Sequence, residues 1–271
     1  MNNPDMQPAS QVTEDSLAEK FRVVTRLGEM MIKNGGEIFR AETSMRYAAK
    51  AYGLTEFEPY VLANGIFCSF CEDGKVYSSR ILSIPLSPIA LSRVEELNTL
   101  SRRIASGSCT IAEADAEMDR IEKMNTGTTW MMLAGGAIGA GAFSILFSGT
   151  WRDGLCALLA GLILELYLCF LIPHTSFPKI MTNISGAFLM SSVCCILYRL
   201  GVGDHLDLMT IGPVFVMTPG VPITNAIRNF MENDYLSGMS RLLDALLVAG
   251  SIAIGAGASM QCWNYLIGGI L

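Results

Sequence analysis

Glu165 is an acid in the middle of Gly154–Ile172, a run that is otherwise uncharged and apolar. A charge at membrane depth costs at least ~2.5 kcal/mol on insertion scales, so this side chain must face protein or water. It either exchanges a proton or, as the neutral acid, hydrogen-bonds a neighbouring helix. A second group of chemistry-bearing residues surrounds Thr218-Pro219-Gly220-Val221-Pro222. Leu208–Met217 before it is apolar but only about half the ~20 residues of a membrane-spanning helix. Ile223–Asp234 after it is polar and amphipathic. Backbone broken at membrane depth survives only where protein buries it or water reaches it, and half-helix ends at such breaks bind solutes and coupling ions in many transporters. The amides opening the second half-helix point back at the break and would attract a solute carboxylate. Pro219, Gly220, Thr224, Asn225, Arg228 and Asn229 are therefore candidate solute-binding residues, with Asn225 and Arg228 supplying an amide and a guanidinium. Asp244 and Arg241 lie three apart, so they either pair on one helix face or serve the solute.

The elements that position these residues follow from a sharp split in charge. Residues 1–128 carry 14 Lys/Arg and 18 Asp/Glu, whereas residues 129–271 carry 5 and 7. The second part is a membrane domain with five expected spans: 129–147, 154–172, 180–198, a broken 208–218, and 236–263. His174, in the Pro173–Pro178 stretch, reads as a solvated loop histidine. Small residues recur at every fourth position in two spans, as Gly135/Gly139, Ala137/Gly141 and Ala140/Ser144/Ser148, and as Ala249/Ala253/Gly257 and Ser251/Gly255/Ser259. Such stripes serve close helix packing or a moving interface.

The first part reads as a small α+β domain over residues 15–128, behind a disordered segment 1–14. Apolar spacing predicts helices from about Asp15 to Asn34, over Glu37–Tyr52, Ala90–Ala105 and Ile111–Lys123. Two strands, Glu58–Cys71 and Lys75–Ile84, flank an Asp73-Gly74 hairpin turn, with Pro85 and Pro88 ending the second. Residues Gly36, Glu37, Arg40 and Glu42 form a structural motif in which Glu37 and Arg40 pair at i,i+3. Met1–Thr13 lacks the basic and apolar regions of a signal peptide, so the N-terminus is expected in the cytosol and the protein in the cytoplasmic membrane.

Several functions are excluded or disfavoured. The net charge of −6 without long runs of one sign does not suit nucleic acid. No H-E-x-x-H, G-x-S-x-G or P-loop motif is present, so neither an enzyme nor an ATP motor is expected. Cys68-Ser69-Phe70-Cys71 is a lone C-x-x-C in an expected strand, with His174 and His205 remote, and it reads as structure rather than a metal site. No cofactor is called for.

Three collinear blocks resemble the threonine/serine exporter-like family, in its N-terminal-half or large-subunit form. They are Gly35-Gly36-Glu37-Ile38-Phe39-Arg40-Ala41-Glu42, Leu100-Ser101-Arg102 with Gly107, and Pro219-Gly220-Val221-Pro222-Ile223-Thr224-Asn225-Ala226-Ile227-Arg228-Asn229. Ser237-Gly238-Met239-Ser240-Arg241 and Ala245 continue the match, which runs from about Phe21 to Gly257. The resemblance implies a cytosolic domain followed by five spans, fused to a second membrane half or paired with a small subunit. It implies ion-gradient-driven export of threonine and serine, with succinate the alternative. At Asn229 many members carry an aspartate, and this departure moves coupling to Glu165 or Asp244, or alters it. A membrane-anchored regulatory or scaffold protein and a passive channel are the rival readings, and the broken span counts against a mere anchor.

Overall fold

The computed structural model describes residues 9–82, 84, 90–125 and 127–267. The chain forms two compact units: the first runs to Thr126 and includes Asp234–Ser237, and the second holds Gly127–Asn233 and the chain from Gly238 onward, so that the first residues of the last helix count with the first unit. Met1–Pro8 and the two strand-ending prolines, Pro85 and Pro88, lie outside the described residues.

The first unit comprises α1 (Ala9–Lys33), α2 (Ile38–Ala51), β1 (Glu58–Leu62), β2 (Gly65–Glu72), β3 (Lys75–Leu82), α3 (Leu91–Ala105) and α4 (Ile111–Lys123). Helix α1 begins at Ala9, within the stretch expected to be disordered, because no proline follows Pro8 to interrupt it. It ends where the family-like block begins. Gly35 sits at φ 84 and donates to Ile32 O, while Gly36 donates to Met31 O at 2.8 Å, the paired bonds of a Schellman cap. A Cβ on Gly36 would lie 2.7 Å from the Met31 carbonyl oxygen, so the chain can turn back this tightly only with glycine there.

The single strand expected over Glu58–Cys71 is in fact two. The chain turns at Ala63-Asn64, giving an antiparallel meander in the order β1-β2-β3, with Tyr60 opposite Phe67 and Phe67 opposite Arg80. The turn pair is Ala63-Asn64, with Gly65 already opposite Leu62, so it is not an Asn-Gly hairpin pair and the apolar pattern runs on through it. The second turn is as expected: Asp73 and Gly74 both have positive φ, 49 and 74. Cys68 and Cys71 differ by an odd number of positions on β2 and so face opposite sides of the sheet. Cys68 is buried beside the Thr25 hydroxyl at 3.5 Å, and its burial pushes the thiol pKa up.

Phe21, Phe57, Phe70 and Tyr77 join α1 to the sheet, with Phe70 and Tyr77 stacked at 4.8 Å. Leu27, Met31, Met45, Leu97, Leu100, Ile104, Met118 and Ile121 complete a closed core. Arg22 and Arg26 of α1 both grip Asp115 of α4, at 2.9 and 2.7 Å. The hydrogen bond from Arg22 chiefly holds the Asp115 carboxyl below its ordinary pKa, against the desolvation that opposes it. A carboxyl whose pKa is lowered by folding stabilises fully above the unfolded value and loses that contribution as pH falls through the folded one. Asp115→Ala should cost about 1–2 kcal/mol at neutral pH, and little in acid. Hydrogen exchange of α1 and α4 at pH 7 checks this; unchanged protection would refute it.

The second unit contains α5 (Thr129–Leu146), α6 (Trp151–Leu166), α7 (Lys179–Arg199), α8 (Leu206–Met217), α9 (Gly220–Met231) and α10 (Tyr235–Ile267). Among the described residues four helical segments are long and apolar enough to cross a membrane, and α8 with α9, bent by 53°, forms a broken pair that makes a fifth if it counts as one span. Helix α6 starts three residues before the expected span, which puts Arg152 and Asp153 in its first turn. A Thr150/Asp153 capping box opens it there.

Small residues do set the packing, on faces only partly those expected. On α5 the buried face is Gly136, Ala137, Ala140, Gly141 and Ser144, and Gly135 is open. On α10, Ser251 and Ser259 are buried and Gly255 packs on Ile184 and Ala187 of α7, whereas Ala253 and Gly257 are exposed. Ser192 and Ser259 add a hydroxyl pair at 2.8 Å. In α8, Pro213 has no N–H for the Met209 carbonyl one turn back, and the buried Cys194 thiol donates to that carbonyl instead, at 3.5 Å.

Candidate functional site

Glu165 lies in the last turn of α6, on the face that also carries Gly161. Across from it, Gly136 of α5 has no side chain, and a Cβ there would fall 2.6 Å from the Glu165 carboxyl carbon. The acid thus occupies the space that this glycine leaves. It is half-buried, and among the described residues no hydrogen bond or ion pair reaches it. Burying an unpartnered carboxyl costs several kcal/mol unless something compensates it, so the carboxyl is available to a ligand or a proton.

Just after Glu165 the helix changes form. Residues Tyr167–Leu171 make a π-turn and Ile172–His174 a 3₁₀ turn. Pro173 explains both: it cannot bond the Cys169 carbonyl and crowds it, so the preceding turn widens. His174 ends this segment, with Nδ1 2.8 Å from the Phe170 carbonyl, rather than standing in an open loop. The widened turn aims the Tyr167 hydroxyl at Ser185 of α7, 2.7 Å away. Ser185 has a single proton, which goes to Met181 O or Thr182 O, so Tyr167 is the donor of that pair. Two residues earlier on α7, the Asn183 Nδ2 is buried and has no acceptor among the described residues.

The break sits at the same level. Thr218 is extended at ψ 132, as a residue before proline must be, and Pro219 caps α9. Met217, the last residue of α8, meets Leu164 and Tyr167 at Gly186 of α7: a Cβ there would lie 3.1 Å from Leu164, 3.5 Å from Met217 and 3.9 Å from Tyr167. On the other side a Cβ on Gly139 of α5, one turn from Gly136, would meet Val216 at 3.5 Å. The two features that stood apart in the sequence, the acid and the interruption, therefore adjoin one another.

The opening of α9 offers fewer amides than its sequence suggests. Pro222 has none, Gly220 donates to Thr218 O at 2.8 Å, and Ile223 donates to Pro219 O at 3.2 Å. The Thr224 hydroxyl turns back to Val221 O. Along α9 the inward face is Ala226 and Asn229, with Asn225 half-buried and Thr224 and Arg228 exposed. Asn229 is 5% exposed and its Nδ2 has no acceptor, so of the candidate polar residues it is the one turned inward. Asp244 of α10 is held by Lys179 at the start of α7, with Nζ 2.9 and 2.8 Å from its two oxygens. Sequence spacing pointed to Arg241 and could not reveal Lys179, 65 positions away.

In the first unit, Glu37 and Arg40 pair at 3.2 Å as expected, and Glu42 accepts the Val61 N–H at 3.1 Å. These residues tie α2 together and to β1. Among the described residues no cluster of His, Cys, Asp or Glu is arranged to hold a metal ion. Tyr167, Ser185 and Gly136 are the neighbours of the site that spacing alone did not single out.

Comparison with known proteins gives a consistent pattern. A "Probable threonine/serine exporter" from Mycobacterium tuberculosis is 24% identical over 87% of this chain and 45% of its own length. A "Threonine/serine exporter" from Corynebacterium glutamicum is 20% identical over 94% of this chain and 54% of its own. The chain thus spans about half the length of these curated relatives. A "Probable succinate transporter subunit YjjP" from Klebsiella aerogenes is 20% identical over 90% of this chain and 95% of its own. No solved structure matches. The family described as "Putative threonine/serine exporter" (ThrE) matches residues 22–263, and with that coverage the chain belongs to the ThrE family.

Proposed function

We propose that this chain is a membrane-embedded subunit of a secondary exporter of small polar solutes, with threonine and serine ahead of dicarboxylates. The observation that carries the reading is the unpartnered Glu165 beside the interrupted α8–α9 span. Pro219, Gly220, Thr224, Asn225, Arg228 and Asn229 bind or gate the solute from the break. Glu165 and the Lys179-bound Asp244 handle charge coupling. The first unit, on the cytosolic side of the cytoplasmic membrane, gates that face or holds a partner.

Charge favours an amino acid over a dicarboxylate. A lone half-buried carboxylate attracts an ammonium and repels a second carboxylate by the same Coulomb term. Inward amide donors such as Asn229 Nδ2 suit the carboxylate at the other end of a zwitterion. The succinate reading draws its support from the relative named a succinate transporter subunit, nearly all of whose length the chain spans. That relative, named a subunit, also supports a second membrane subunit as partner, with self-association the other route.

The test is efflux of labelled threonine, serine and succinate from loaded cells making the full chain, alone and with a second ThrE-type membrane subunit. Threonine and serine should leave fastest, and mainly when both are present. Succinate outpacing both amino acids would reverse the order of solutes. Equal efflux with and without the chain would end the exporter reading.

A further inference from the structure

At the far end of the second unit from Glu165, two inter-helix turns meet on one side chain. Asp153, in the first turn of α6, is fully buried. Its Oδ1 accepts the backbone N–H groups of Asp204 at 2.7 Å and His205 at 2.9 Å. Its Oδ2 accepts the Thr150 N–H at 2.9 Å and faces His205 Nδ1 at 3.0 Å. The Thr150 hydroxyl lies 2.9 Å from both Asp153 Oδ2 and Asp204 Oδ2, and its one proton serves them in turn. Every neighbour of Asp153 is a donor, which suits the carboxylate anion and fixes the His205 tautomer with hydrogen on Nδ1. The residues before α6 and the residues before α8 are therefore stitched together through a single carboxylate.

His205 differs from the other donors because its charge can change. Its side chain is 54% exposed, so solvent reaches the ring. The ionisable groups around it are Arg152 and Asp153 from α6, Asp204 from the α7–α8 turn and Asp207 from α8, with Arg152 in turn 3.6 Å from Asp204. Helix α5 carries no ionisable side chain, α7 ends in Arg199, and the buried Cys156 thiol lies one turn below Asp153. Acids outnumber bases around the ring.

We propose that His205 is a proton-binding site that latches the α5–α6 turn to the α7–α8 turn through Asp153. With the proton bound, an imidazolium pairs with the buried carboxylate and the turns are held shut. Without it the pair is a neutral hydrogen bond to an anion, and the turns part more readily. The hydrogen bond to Asp153 pushes the imidazole pKa above its ordinary value. A group raised on folding contributes fully below its unfolded pKa and loses that contribution as pH rises through the folded one, so the latch tightens in acid and loosens in base. A purely structural staple would hold equally at either pH.

The test uses the full chain, which has two histidines. Ring-labelled histidine is titrated by NMR, with His174→Gln identifying the other signal, and amide exchange is followed in peptides covering residues 147–155 and 202–208. Protection there, corrected for intrinsic rate, should fall about threefold or more as pH rises through the His205 titration. Asp153→Asn should lower that titration. His205→Asn keeps a side-chain donor without the charge, and its protection should not change with pH. Wild-type protection that ignores the His205 titration, or a pH response surviving in His205→Asn, overturns the latch. If His205→Asn does not fold, the wild-type comparison of ring titration with exchange decides alone. Neither readout involves a solute, so the outcome is separate from the exporter reading.

Discussion

Glu165→Gln should reduce threonine and serine efflux by about tenfold or more and flatten what remains against pH. Glutamine keeps the shape and the hydrogen-bonding capacity of the side chain but carries neither charge nor titratable proton. A charge-assisted contact is worth about 1.5–3 kcal/mol, and each 1.4 kcal/mol is a factor of ten in binding. The helices should pack unchanged, because the space left by Gly136 accepts the isosteric side chain. The comparison is initial efflux rate across pH 5.5–8 at matched protein levels in the membrane, on the order of two units around neutrality where histidine and perturbed carboxyls titrate. A Glu165→Gln profile that parallels wild type would make the acid a packing residue only.

Gly136 supplies a complementary control. A larger residue there must displace the Glu165 side chain without changing its charge, so loss of transport in Gly136→Val with retention in Gly135→Val would tie activity to the position of the acid. The second position is open, and a side chain there meets nothing.

The second large effect concerns the interruption. Alanine at Pro219 and Gly220 removes two breakers, worth about 3 and 1 kcal/mol in a helix interior. Pro222 would still kink a continuous helix, because it lacks an N–H for Thr218 O and crowds that carbonyl. The triple change Pro219→Ala/Gly220→Ala/Pro222→Ala should therefore straighten the 53° bend of α8–α9 and redirect Asn225 and Asn229 relative to α8. Insertion should survive, since no charge is added and Gly220 has open space around it. Efflux should fall to background, and further than for Gly257→Ala, a control in α10 where an added methyl meets nothing. Normal efflux from the triple variant would reduce the break to a kink and leave Glu165 to bind the solute without it.

How much of this was legible in the residues depends on the range of each interaction. The charge split, the five apolar spans and the interruption are local properties of composition, and the structure has a span or bent pair at each expected place. The Glu37–Arg40 pair and the Asp73-Gly74 turn are equally local, and both are present. The β1–β2 turn was missed because its two residues, Ala63 and Asn64, are not a hairpin pair and the apolar pattern continues on both sides. Asp153 was hidden differently: its Thr150 partner shows as a capping box, but Asp204 and His205 are more than fifty positions away. The same holds for Lys179 and Asp244. Gly136 could not be told from Gly135 and Gly139 by spacing, since only the opposing helix decides which glycine faces Glu165. The π-turn needed the knowledge that Pro173 continues the helix rather than ending it.

The most direct measurement of the solute site is protection of the break from a thiol reagent. Gly220→Cys places a thiol in open space beside Pro219, in a chain whose exposed Cys262 is changed to serine, and peptide mass mapping follows its alkylation in membranes. A solute bound between Glu165 and the break should slow that alkylation saturably for threonine and serine, and Glu165→Gln should abolish the protection. Alkylation at one rate with or without solute, in a Gly220→Cys protein that still exports threonine, would place the solute elsewhere and contradict the account.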